Sequence, residues 1–162
     1  MTTSLALSNF SFVFQWHVRY TVATSLHEVA EIVGEEIAAR DLVPIFDGFI
    51  KDLDEVRIGL LQHMAKFLRI IPAACRDSFL PRIRSFLKTD NKRNWRLREK
   101  LGEQLCQCLP LFSPEKCMRH ISGLAIRLLF DKVAAVRTQA IELVSSLFQI
   151  KSNIIKQKFK IL

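Results

Sequence analysis

The sequence predicts an all-α fold, a solenoid of about four stacked antiparallel helix pairs, and three observations predict it. Four short strings, each ending in an aliphatic residue and an arginine, recur at nearly constant spacing. The apolar residues that follow each arginine share one helical phase. Only 5 Gly and 5 Pro stand among 162 residues, too few for the many turns of an all-β sandwich.

The strings are Trp16-His17-Val18-Arg19, Asp54-Glu55-Val56-Arg57, Trp95-Arg96-Leu97-Arg98 and Ala134-Ala135-Val136-Arg137. Their arginines lie 38, 41 and 39 residues apart, close to the period of roughly 40–47 residues that marks helix-pair repeats of the HEAT type. At offsets +3, +4, +7, +10, +11 and +14 the first unit reads Val22, Ala23, Leu26, Val29, Ala30, Val33. The second reads Leu60, Leu61, Met64, Phe67, Leu68, Ile71, and the third Leu101, Gly102, Leu105, Cys108, Leu109, Phe112. The fourth reads Ala140, Ile141, Val144, Leu147, Phe148 and then Lys151, the one polar residue of the set. Such spacing is the stripe of an amphipathic helix. Pro44, Pro72, Pro81, Pro110 and Pro114 interrupt the chain and exclude one long coiled coil.

Apolar residues between these stripes predict the partner helices, over 41–51, 76–88 and 114–130, the last opened by Ser113 as cap and Pro114 at the first helical position. One pair cannot hide its apolar face alone, so the pairs are expected to stack into a right-handed superhelix. The expected organisation is a degenerate first helix or non-repeat segment over 1–15, a repeat domain over 16–150 and a basic non-repeat tail over 151–162. Each turn also carries an aspartate ahead of the arginine, Asp52, Asp90 and Asp131. With Arg19, Arg57, Arg98 and Arg137 these predict an inter-repeat ladder of charge-assisted hydrogen bonds.

The net charge of +8 is unevenly spread. Residues 1–70 carry six Lys/Arg against nine Asp/Glu, whereas residues 71–162 carry eighteen against seven. Cys106 and Cys108 sit two apart on a helical stripe and point away from each other, so they cannot share a metal. With Cys75 and Cys117 they read as free thiols of a reducing compartment, without disulfides. No basic leader or membrane-length apolar run is seen. His17, His27, His63 and His120 lie in different units, and no nucleophile, metal or phosphate-loop motif occurs. The expectation is a protein without enzymatic activity, cofactor or metal.

The string from Trp16 to Ala23 resembles repeats of the scaffold subunit of protein phosphatase 2A. Over Trp16 to about Phe148 the chain more closely resembles the family of regulatory subunit 1 of serine/threonine-protein phosphatase 4, its "like" relative included. The strings that carry the resemblance are Glu28 to Gly34, Pro44 to Phe49, Asp52 to Arg57, Thr89-Asp90-Asn91 and Arg93 to Arg96. The resemblance implies a non-catalytic subunit, cytoplasmic or nuclear, that binds a phosphatase catalytic subunit of the phosphatase 4 type and steers it to substrates. Family members carry many more repeats, so a truncated form without its capping repeats is expected. The alternatives are a general HEAT adaptor for another complex and a truncated product without independent function.

Turns 52–56, 89–96 and 130–135 are then expected to form a partner-facing ridge carrying Asp54, Glu55, Lys92, Arg93, Trp95, Arg96 and Lys132. Trp and Arg are favoured anchors at interfaces. Trp95 as a core plug beside solvated lysines is the competing reading. Nucleic acid is not expected at a patch with a single aromatic.

Overall fold

The computed structural model describes residues 16–88 and 93–160, which are helical apart from short turns, with no strand among them. Each arginine-led stripe forms a helical run, broken at one residue in the first two. In the first, α1 (Trp16–Thr24) and α2 (Leu26–Val33) follow one another across Ser25. In the second, α5 (Asp54–Gln62) and α6 (Met64–Ile70) meet at His63. The third is α9 (Trp95–Cys108), closed by a 3₁₀ turn at Leu109–Leu111, and the fourth is α12 (Ala134–Lys160). These helices lie side by side in chain order: α5 packs on α1, α9 on α5, and α12 on α9.

The intervening helices are α3 (Glu35–Ile37) and α4 (Val43–Phe49), α7 (Ala73–Arg76) and α8 (Phe79–Lys88), and α10 (Pro114–His120) and α11 (Ser122–Leu129). The first of these begins earlier than the expected residue 41. Gly34, at a φ of 82°, takes the left-handed backbone that ends α2 and turns the chain straight into α3. Between α3 and α4 the helix widens to a π-turn over Ala38–Leu42. Pro44 lies just beyond it and lacks the N–H that a regular helix would offer to the carbonyl four residues back. Ser113 caps α10 by accepting from the Lys116 N–H, with Pro114 next to it. Residues 151–160, within the expected basic tail, continue α12 as helix. No Gly or Pro follows Gly123 in the sequence, so nothing local stops the helix.

One core cluster runs from Ala23 to Leu147, and a small second one joins Leu128, Val136 and Ala140. The shared phase is visible in burial. At offset +11, Ala30, Leu68 and Leu109 are buried, but Phe148 is 67% exposed. At offset +4, Ala23, Leu61 and Gly102 are buried, but Ile141 is 60% exposed.

Candidate partner-binding edge

The turns hold the four arginines in different ways. Arg19 donates from Nε and Nη2 to Asp52 Oδ2 and Oδ1, at 2.7 and 3.0 Å, across 33 residues. Arg98 does the same to Asp131, at 2.5 and 3.3 Å, again across 33 residues. Two parallel N–H···O bonds fix the angle as well as the distance between the groups. Arg57, 2% exposed, donates to its neighbour Asp54 at 2.7 Å and to the Phe86 carbonyl at 2.5 Å. Asp90, 33 residues after Arg57 in the sequence, lies outside the described residues. Arg137 donates to the carbonyls of Asp131 and Lys132, both at 2.9 Å. Burial opposes ionisation of Asp131, but hydrogen bonds from Arg98 and the Val133 N–H outweigh it and hold the carboxyl below its usual range.

The predicted ridge residues divide by environment. Asp54 is half-buried and committed to Arg57, while Glu55 beside it is exposed. Arg93, Arg96 and Lys132 are exposed, and Lys92 lies outside the described residues. Trp95 is half-buried. One side packs against Leu128, Val136 and Ala140, and the Arg96 guanidinium lies over its ring at 4.6 Å. That cation–π contact holds one exposed charge of the turn in place. Asn94 caps α9 by accepting from the Leu97 N–H at 3.2 Å, which fixes the turn's exit.

Several cross-pair contacts were not singled out from the sequence. Arg82 donates to Asp47 at 2.6 Å, Lys116 pairs with Asp77, and Arg127 donates to the Leu87 carbonyl at 3.2 Å. Gln104 Oε1 accepts from the buried Ala65 N–H at 3.0 Å. Gln104 is six residues after its arginine and Ala65 eight after its own. His63 and His27 occupy the same two offsets at the preceding joint, their rings in tilted contact with centroids 4.2 Å apart. Treating each histidine as isolated missed this pair, which the offset from the arginine would have revealed. Among the described residues no group of three or more His, Cys, Asp or Glu is placed to hold a metal.

Burial, reinforced by His27 and Lys66, lowers the His63 pKa from its ordinary 6.5. The unfolded chain therefore takes up a proton that the folded chain resists. Stability is full above pH 6.5 and declines as pH falls from there toward the depressed folded value. Urea unfolding followed between mildly acidic and neutral pH should show this decline, and His63→Gln should flatten it. An unchanged slope in the variant would assign the effect to other groups.

Burial also raises the Cys108 and Cys117 thiols, to about 12 and about 11, which keeps both protonated and unreactive at neutral pH. All four cysteines are free. No helix among the described residues is long and apolar enough to cross a membrane.

The described residues are all-helical apart from turns, with the arginine-led helices side by side and two of them, through Arg19 and Arg98, tied by a bidentate pair to the turn 33 residues ahead. The chain belongs to the protein phosphatase 4 regulatory subunit 1 family. The family model described as "Protein phosphatase 4 regulatory subunit 1 middle domain" matches residues 4–86. The chain is 48% identical over 133 residues to serine/threonine-protein phosphatase 4 regulatory subunit 1 of Homo sapiens, and equally to those of Mus musculus and Rattus norvegicus. The match covers 82% of this chain and 14% of each relative, so the chain spans a small part of their length.

Proposed function

We propose that this chain is part of a non-catalytic regulatory subunit that binds a serine/threonine phosphatase catalytic subunit of the phosphatase 4 type. In this reading it is a HEAT-type solenoid of about four antiparallel helix pairs with a right-handed superhelix, in the cytoplasm or nucleus, and it directs the bound phosphatase to substrates. The observation that carries the reading is the 48% identity over most of the chain to subunits named for that role. The Arg19–Asp52 and Arg98–Asp131 ties support it, because each fixes one turn against the turn 33 residues ahead, as a partner-facing edge requires.

The edge would bind through its exposed groups, Glu55, Arg93, Arg96 and Lys132, with Lys92, and with Trp95 as the half-buried anchor. Asp54 would serve it indirectly by holding Arg57. Arg93→Glu combined with Arg96→Glu should weaken capture of the purified phosphatase 4 catalytic subunit at least about tenfold, as loss of anchoring charge at an interface does. The same variant should keep its helicity and melting temperature. Unchanged capture would remove this edge from the contact, and no capture by the parent chain would overturn the partner assignment.

A further inference from the structure

The helices of the first two units break at the same place. Ser25 and His63 each stand six residues after their arginine, and each separates two helices. At His63 the backbone leaves helical geometry, with φ −131° and ψ 22°, so α6 starts afresh at Met64. The first N–H groups of a helix have no acceptor within it. Ala65, fully buried, carries one of these, and Gln104 Oε1 of α9 accepts from it at 3.0 Å. From the other side His27 of α2 meets the His63 ring, with planes 36° apart. The break in the second unit is thus gripped by one side chain from the unit before and one from the unit after.

Acid acts on only one of these grips. The Gln104 amide stays neutral, whereas an imidazole gains a proton in mildly acidic solution. His27 is 6% exposed, and its Nδ1 lies 3.1 Å from the Thr24 carbonyl. A carbonyl only accepts, so Nδ1 carries the hydrogen and a further proton enters at Nε2. His63 is half-buried. Burial disfavours a cation on it first, then His27; Lys66 on α6 and Lys100 on α9 add to this, and Glu28 on α2 opposes it. Glu103 holds Lys100 at 2.6 Å and offsets part of its charge. Two cationic rings in this contact repel strongly where water is scarce. The contact therefore accommodates one added proton but not two.

We propose that the His27–His63 contact is an acid-released latch between the first and second arginine-led helices. A second added proton parts the rings and frees the break at His63 to act as a hinge. Gln104 still holds α6 to α9. The Arg19–Asp52 pair at the turn is untouched, so the two helices part beyond their breaks and stay joined at that end.

Hydrogen exchange of the full chain, corrected for the intrinsic effect of pH, tests this between about pH 7 and about pH 5, the range of imidazole titration. In the parent, protection over α2 and α6 should fall by about tenfold per pH unit for each proton that opening admits. Protection over α9 and α12 should change little. His63→Gln should keep α2 and α6 protected throughout the range. His27→Gln, which leaves one imidazole, should about halve the slope; circular dichroism checks that both variants fold. Protection over α2 and α6 that ignores pH overturns the proposal. So does an even loss over all helices, which would make the effect global, or a slope that His27→Gln leaves unchanged, which would make His63 act without its partner ring.

Discussion

Replacing Arg98 by alanine should destabilise the chain by about 3 kcal/mol or more, the cost of removing one partner of a largely buried ion pair. The Arg98 and Asp131 side chains are only 9% and 10% exposed. Deleting the guanidinium leaves Asp131 with its burial penalty, and the Val133 N–H at 2.9 Å and the more distant charge of Arg137 compensate it in part. An exposed pair would cost under about 1 kcal/mol, so the size of the loss separates a structural tie from a decorative surface contact. Removing both partners with Asp131→Ala should cost less than the sum of the single changes, because no charge is then stranded.

The pH dependence gives an independent readout of the same pair. Asp131 is held below its ordinary 3.8 in the fold, so the unfolded chain binds the proton more readily. The pair's contribution is therefore present above pH 3.8 and is lost as pH falls from there through the lowered folded value. Arg98→Ala should remove that part of the acid slope. Urea titrations of the single and double variants check both statements. A loss below about 1 kcal/mol, or an acid slope unchanged by the substitution, would sink the account of this contact.

Much of the helical framework was legible because two signals repeat in phase. The arginine marks where each stripe begins, and the offsets after it separate core from surface at Leu60, Met64, Leu101 and Leu105, all of them buried. The repeated aspartate pointed to the right residue types for the turns. It did not show that Arg19 reaches Asp52, the aspartate of the turn 33 residues ahead, while Arg57 also uses its neighbour Asp54. Such choices depend on how far one helix is displaced along the next, which no local periodicity encodes. The interruption at His63 and the π-turn before Pro44 were hidden for a related reason: neither disturbs the apolar phase by which helices are read. Trp95 was ambiguous in sequence because a tryptophan in a basic turn has both an apolar body and an accessible edge, and here it uses the body against Val136 and the ring face under Arg96.

Phe46→Ala should be about as costly, at about 3–5 kcal/mol for a large aromatic cut from a packed core. Phe46, on α4, is 1% exposed. It stacks on Phe67 of α6 at 5.4 Å and meets Phe79 and Phe86 of α8 edge-on at 5.2 and 6.4 Å. The ring therefore joins α4, α6 and α8, and its loss acts on all three helices. Packing here runs mainly between helices near one another in chain order, so weakening one joint uncouples the segments on either side. The expected result is lower stability together with a broadened or two-step urea transition, the segment before α8 unfolding first. Phe46→Leu, which refills most of the volume, should recover much of the loss and keep a single transition. If Phe46→Ala unfolds in one sharp step within about 1 kcal/mol of the parent, the four-ring cluster is not what couples these helices.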